Sequence, residues 1–186
     1  IPENDIVVLH GCCHNPTGAD LNKDQWIQIT ELIRKKNLVT ICDFAYQGLG
    51  EGIENDAVGV RTLLKNLDNL IICSSYSKNF GLYSERVGCL IYHSKNMNNY
   101  SSVQSNFKKV ARTIYSNPPS HGSDIVKTIL SDEKLKSLWE VNLNEAKNRI
   151  INMRKSLVEN LVKENCSRNF EFIIDQKGMF SFTGLS

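Results

Sequence analysis

The sequence predicts an α/β fold: a mostly parallel sheet with one antiparallel strand, then a long helix leading into the start of a smaller α+β unit. Three observations predict it. Four short apolar, β-branched runs, 6–10, 38–42, 70–73 and 87–92, dominate the first half, and such runs read as buried strands. Helical spacing fills the intervals between the first and second runs and between the second and third. The interval 74–85 carries no helical pattern and is too short for an ordinary crossover, so the fourth strand is expected to return antiparallel.

In chain order, Asn22 and Gln25 have the spacing of a helix cap. Trp26, Ile29, Leu32 and Ile33 follow at helical spacing. A second helical stretch covers 56–65. Strands alternating with helices imply a parallel sheet covered on both faces. Past Ser94 the pattern is helical, broken at 116–120, where Pro118 and Pro119 cannot donate the backbone bonds a helix needs. From 132 to 164 the apolar residues Leu135, Leu138, Trp139, Ile150, Met153, Leu157 and Leu161 form a stripe. That stripe is longer than a usual globular helix and suits a bridge between two domains. The tail, 170–174 and 180–182, reads as strands of the second domain.

With 186 residues, 41% of them hydrophobic, the chain can bury a core. Lys and Arg number 22 against 20 Asp and Glu, a net charge of +2 with no basic face, which argues against nucleic acid as a partner. No apolar run approaches the roughly 18 residues that span a bilayer, and the opening Ile-Pro-Glu-Asn lacks a signal-peptide pattern. A membrane is therefore not expected, and the chain reads as intracellular. Six cysteines, at 12, 13, 42, 73, 89 and 166, lie mostly inside apolar runs and not at disulfide-framework spacing. They are expected to be thiols in a reducing compartment. There is no initiator Met and the last residues look like a strand leading onward, so a fragment is expected.

In open α/β sheets, ligands sit beyond the carboxyl ends of parallel strands. Three segments occupy those places: His14-Asn-Pro-Thr-Gly18, Asp43-Phe-Ala-Tyr46 and Ser74-Ser-Tyr-Ser-Lys78. Arg86, eight positions after Lys78, lies where the returning strand brings it back to the same edge. A lysine, an aspartate, a tyrosine, an asparagine, hydroxyls and an arginine are an odd set for a hydrolase, yet each has a task around pyridoxal phosphate (PLP). Lys78 suits the Schiff base. Asp43 suits the pyridine nitrogen, because a nearby carboxylate favours the protonated ring and preserves it as an electron sink. Tyr46 and Asn15 suit the ring's phenolic oxygen. Ser75, Ser77 and Arg86 suit the phosphate.

The segments HNPTG (14–18), DFAYQG (43–48), SYSKNFGLYSERVG (75–88) and SNPP (116–119) resemble, in order and spacing, the signatures of class I aminotransferases of PLP fold type I, and most closely the aspartate aminotransferase subfamily. The resemblance implies that 1–145 form part of the large PLP-binding domain and 146–186 the start of the small domain, with the boundary inside the long helix. It implies Lys78, Asp43 and Tyr46 as catalytic residues, and Asn15, Asp43, Tyr46, Ser75, Ser77, Lys78 and Arg86 as cofactor-binding residues. Asn15 and Arg112 would bind substrate, Arg112 gripping the side-chain carboxylate across a homodimer interface. The implied reaction is amino transfer between L-aspartate and 2-oxoglutarate, giving oxaloacetate and L-glutamate, in the cytoplasm, with a mitochondrial setting left open by the absent N-terminus. The wording departs from the family at Phe44, Leu49, Glu51 and Ser84, none of them a cofactor contact. A glycine-rich phosphate loop, a stacking tryptophan and a tyrosine lent to the partner are expected before Ile1, and an α-carboxylate arginine beyond Ser186.

Singly these residues have ordinary readings. A lysine in a polar loop is usually a solvated surface group, and Asn15 before Pro16 is a routine turn signal. Only the constellation carries the chemistry. A zinc reading of His10, Cys12, Cys13 and His14 fails on spacing, because adjacent cysteines on an extended segment point to opposite faces. The glycines at 48, 50 and 52 lack the third position of a dinucleotide loop. An aromatic or broad-range aminotransferase, a PLP lyase on the same scaffold, and a catalytically inactive fragment remain as rivals.

Overall fold

The computed structural model describes residues 1–164, 166 and 168–184. Four strands form one sheet in sequence order: β1 (Ile6–His10), β2 (Val39–Phe44), β3 (Asn69–Ser75) and β4 (Gly88–Ser94). The pairs β1–β2 and β2–β3 are parallel, and β3–β4 is antiparallel. The 76–87 loop is too short to reverse the chain twice, as the missing helical pattern implied.

Helix α1 (Lys23–Lys35) links β1 to β2, and α2 (Ile53–Asp56) and α3 (Val58–Asn66) link β2 to β3. The start of α1 is a closed capping box: Gln25 N donates to Asn22 Oδ1 and Asn22 N to Gln25 Oε1, each at 2.9 Å. Because the strand order advances in one direction, right-handed crossovers place α1 and α3 on the same face. Covering of both faces, expected from the alternation, is not what these residues show. Thr40, Cys42, Phe44, Leu70 and Ile72 are buried beneath the helices, while Ile6, Val8 and Val39 on the opposite pleat are exposed. The outer strands β1 and β4 are accordingly less buried than their apolar sequences suggest.

Helix α4 (Tyr100–Ile114) and α5 (His121–Ser131) flank the predicted break at 116–120. Helix α6 (Glu133–Lys163) then runs 31 residues from an Asp132 cap that accepts from the N–H groups of Lys134 and Leu135. As far as Ile150 it serves the main core, with Leu143 buried there and Trp139 and Ile150 packed against it. Its second half places Val158 in a separate cluster with Phe170 and Ile173.

The tail forms no strand among the described residues. Glu171–Ile173 is a short 3₁₀ turn, and 180–182 pairs with no strand. An extended segment without a neighbouring strand must satisfy its carbonyls otherwise, and here a side chain does so: Arg154 of α6 donates to the carbonyls of Gln176, Gly178 and Phe180.

Candidate active site

Strand register brings the candidate residues to one level. His10 pairs with Asp43, Asp43 with Cys73, and Phe44 with Ser74, so β1, β2 and β3 end together. β2 and β3 run further than their apolar cores, and Asp43 and Ser75 lie inside the strands, not just after them. The antiparallel pairing continues past β4, with Tyr76 N donating to Val87 O at 3.1 Å, which brings Arg86 level with Ser77.

Tyr46 is the centre of the arrangement. Its ring is buried, its Oη accepts from Asn15 Nδ2 at 3.2 Å, and the Lys78 ammonium lies 4.9 Å from the ring centroid. Lys78 is half-buried and, among the described residues, forms no salt bridge with a carboxylate. The turn that carries it is fixed from three sides. Asn79 Nδ2 donates to Gln47 O at 3.2 Å, Trp139 Nε1 donates to Asn79 O at 2.7 Å, and Trp139 stacks on Phe80 with centroids 4.5 Å apart. Ser77 N donates to Ser75 Oγ at 3.2 Å, so both serines sit in one turn beside the lysine.

The Asn15 loop is held just as firmly. Asp20 accepts from the N–H groups of Cys13 and His14 at 2.7 and 2.9 Å, and the 15–16 peptide is cis. Asp43 stands half-buried at the end of β2 with no side-chain hydrogen bond among the described residues. Burial first, and then the neighbouring Asp43 carboxylate, push the Cys42 thiol up to about 12. Cys73 across the ladder is raised for the same two reasons. These thiols stay protonated at neutral pH.

Asn15, Tyr46, Lys78, Ser75 and Ser77 are thus assembled, with Asp43 and Arg86 on the same edge. Arg86 is exposed and donates to Tyr83 O at 3.1 Å. Arg112 is apart from them. It lies exposed in the last turn of α4, with no hydrogen bond or salt bridge among the described residues.

The two discarded readings have structural counterparts. Cys12 and Cys13 do not point apart: Cys13 adopts φ 53°, which breaks the strand alternation, and both sulfurs lie with a carboxylate oxygen of Asp56 within 4.8 Å of one another. That carboxylate already accepts from the N–H groups of Gly48, Gly50 and Glu51 at 2.7 to 3.0 Å. The same three bonds occupy the N–H groups that a dinucleotide phosphate would need at residues 48–52.

Two contributors were not singled out from the sequence as site residues. Phe180 packs edge-on against Tyr46 at 6.1 Å, and Arg154 holds the segment that carries it. No local motif marks either, since Phe180 meets a ring from the far end of the chain and Arg154 bonds residues 22 to 27 positions on.

Lys78, with no acid partner among the described residues, is set over a tyrosine at the carboxyl edge of parallel strands, a place suited to a covalently held cofactor. The model of the family "Aminotransferase class I and II" matches residues 1–186, and the chain belongs to that family. Among relatives, aspartate aminotransferase from Haemophilus influenzae is 46% identical over 99% of this chain and 46% of its own length. Aromatic-amino-acid aminotransferase from Pseudomonas aeruginosa is 44% identical over 100% of this chain and 47% of its own. Among solved structures, aromatic-amino-acid aminotransferase from Burkholderia pseudomallei, covalently bound to pyridoxal phosphate, matches at TM-score 0.95 and 46% identity over 100% of this chain and 46% of that one. Aspartate aminotransferase from Saccharomyces cerevisiae cytoplasm matches at TM-score 0.96 and 40% identity over 100% and 47%. The chain spans about half the length of the relatives it matches.

Proposed function

We propose that the protein is a PLP-dependent aminotransferase that exchanges the amino group between L-aspartate and 2-oxoglutarate, giving oxaloacetate and L-glutamate. The observation that carries the proposal is the Lys78 ammonium over the Tyr46 ring at 4.9 Å, with Asn15 on the Tyr46 hydroxyl. The donor set fits the cofactor. Lys78 would hold it covalently, Asp43 would pair with its ring nitrogen, Tyr46 and Asn15 would serve its phenolic oxygen, and Ser75, Ser77 and Arg86 its phosphate. When bound, pyridoxal phosphate supplies the electron sink that lets an amino acid lose its Cα proton.

The chain's own residues do the rest. Once an incoming amine displaces it, Lys78 Nζ takes up the Cα proton as general base and returns it as general acid. Asp43, with no side-chain hydrogen bond among the described residues, would keep the ring nitrogen protonated. Tyr46 and Asn15 would hold the phenolic oxygen and so orient the cofactor toward the lysine. Arg112 would receive the substrate's distal carboxylate from across a homodimer interface.

We further place residues 1–145 in the large domain and 146–186 in the small one, with the boundary inside α6, because that helix serves one apolar cluster as far as Ile150 and another from Val158. A cytoplasmic setting agrees with six free cysteines, and no helix among the described residues is long and apolar enough to cross a membrane. A second reading, an aminotransferase for aromatic amino acids, is favoured by the names of the Pseudomonas and Burkholderia relatives.

The test is borohydride reduction of the full-length protein with PLP, followed by peptide mapping. The pyridoxyl group is expected on Lys78. A stable adduct on Lys95 or Lys108 in its place overturns the assignment.

A further inference from the structure

Arg154 is one of few charged side chains buried in this chain, at 7% exposure, and among the described residues no carboxylate pairs with it. Its partners all belong to one short segment. Nε donates to Ser181 Oγ at 2.8 Å, one terminal nitrogen to Gln176 O at 2.8 Å, and the other to Gly178 O and to Phe180 O, the latter at 2.9 Å. Gln176 closes the same segment on itself, its side chain bonding both Phe182 N and Phe182 O at 2.9 Å. Residues 176–182 therefore form a strap closed from within by Gln176 and held by the four bonds of a single guanidinium. Only a planar group with five donors can meet such a set of acceptors at once.

The strap lies on the candidate site. Lys177 N donates to Gly18 O at 2.7 Å, and Lys177 Nζ pairs with Glu51 at 2.9 Å. Gly178, at φ 79°, sits so close to Cys13 that an added Cβ would lie 2.3 Å from the Cys13 Cβ. Phe180, whose own carbonyl Arg154 holds, meets the Tyr46 ring edge-on at 87°. Tyr46 in turn carries the contacts with Asn15 and Lys78.

We propose that Arg154 is a positioning residue: by folding 176–182 into a strap it seats Phe180 against Tyr46, and so fixes the tyrosine that orients Lys78 and Asn15. The inference rests on the reading of Lys78 and Tyr46 given above. A purely structural Arg154 would stabilise the cluster of Val158, Phe170 and Ile173 and leave Tyr46 where it is. The proposed role makes the two inseparable.

The difference is measurable through the protonation of the lysine-bound cofactor. In the proposed site Tyr46 stabilises the anionic form of the phenolic oxygen, so a loosened Tyr46 raises the pH at which the bound chromophore loses its proton. The experiment titrates the absorbance of full-length PLP-loaded protein against pH for the wild type, Arg154→Lys, Phe180→Ala and the double variant. Hydrogen exchange of residues 14–18 and 44–48 is followed alongside in cofactor-free protein. Both single variants are expected to move the midpoint upward by at least about 0.5 pH unit and to speed exchange in both loops. The double variant is expected to shift no more than the larger single one, because both changes release the same contact. A wild-type titration in both variants overturns the inference while leaving the functional reading intact. Additive shifts overturn it as well. Failure of wild-type protein to load PLP on Lys78 overturns the functional reading itself, and with it this role for Arg154. Should Arg154→Lys not fold, Phe180→Ala decides alone: an unmoved midpoint overturns the proposal, and an upward shift with faster exchange supports it.

Discussion

Lys78, Asp43 and Arg112 are each unremarkable side chains until their surroundings are known. Among the described residues Lys78 has no carboxylate partner that would make it a salt-bridge lysine, and Asp43 has no side-chain hydrogen bond that would occupy its oxygens. Arg112 is the extreme case: exposed in the last turn of α4, it makes no hydrogen bond or salt bridge among the described residues. If it grips a substrate carboxylate, that carboxylate must be presented from elsewhere, as across a dimer interface. Arg112→Asp then removes a charge-assisted hydrogen bond of about 1.5–3 kcal/mol and sets like charges together. In the full-length protein kcat/KM for aspartate is expected to fall by roughly 100-fold or more, and that for phenylalanine by less than about tenfold. Equal losses for the two substrates would place Arg112 outside the specificity pocket.

At the scale of elements, α1 packs on α3 over the face of the sheet whose three strand ends come level. The two helices meet where Trp26, 4% exposed, lies over Gly59. An added Cβ at Gly59 would stand 2.4 Å from the indole, and the rigid ring has no flexible end to yield. Gly59→Ala gains about 1 kcal/mol of helix propensity, but overpacking a core typically costs about 1–3 kcal/mol. The net effect expected in denaturant unfolding is a loss, partly recovered by adding Trp26→Leu. A stabilised Gly59→Ala protein would show that the helices are free to separate. This contact was invisible in the sequence, although both of its helices were legible from their spacing and the Asn22 cap. Local order was readable in general: the strands, the antiparallel return at β4 and the 116–120 break follow from apolar runs and from what proline cannot donate. What was not readable depended on neighbours. The segments 170–174 and 180–182 alternate as strands do, yet among the described residues no strand lies beside them: 171–173 close into a 3₁₀ turn and the Phe180 carbonyl turns to Arg154. Cys13 leaves the strand alternation for φ 53°, so the two thiols share a side. In the candidate site, HNPTG, DFAY and SYSK marked their residues because each motif is short and sits at a strand end. Phe180 and Arg154 carry no such mark.

As a whole, the chain is an α/β sheet with one covered face and a long helix that ties the site to a second apolar cluster. Its uncovered pleat exposes Ile6 at 59% and Val8 at 60%, and β4 exposes Leu90 at 50% and Ile91 at 46%. Both outer strands also leave one row of backbone groups unpaired by any other strand among the described residues. Open apolar edges invite pairing with other chains. The relatives of known activity are about twice as long, and the resemblance puts a ring-stacking group, much of the phosphate cradle and the α-carboxylate arginine outside residues 1–186. Catalysis needs those groups together, because a cofactor held only by its lysine and one edge of its ring is free to tilt out of line with the proton it must lose. Residues 1–186 produced alone are therefore expected to associate or precipitate. They are also expected to show no measurable amino transfer from aspartate to 2-oxoglutarate under saturating PLP. The comparison is with the complete Haemophilus influenzae enzyme, assayed at equal molarity, with light scattering recorded on the same samples. A monodisperse chain working within about tenfold of that enzyme, a barrier difference of only about 1.4 kcal/mol, would mean that the strand ends, Lys78 and the strap already constitute a sufficient active site.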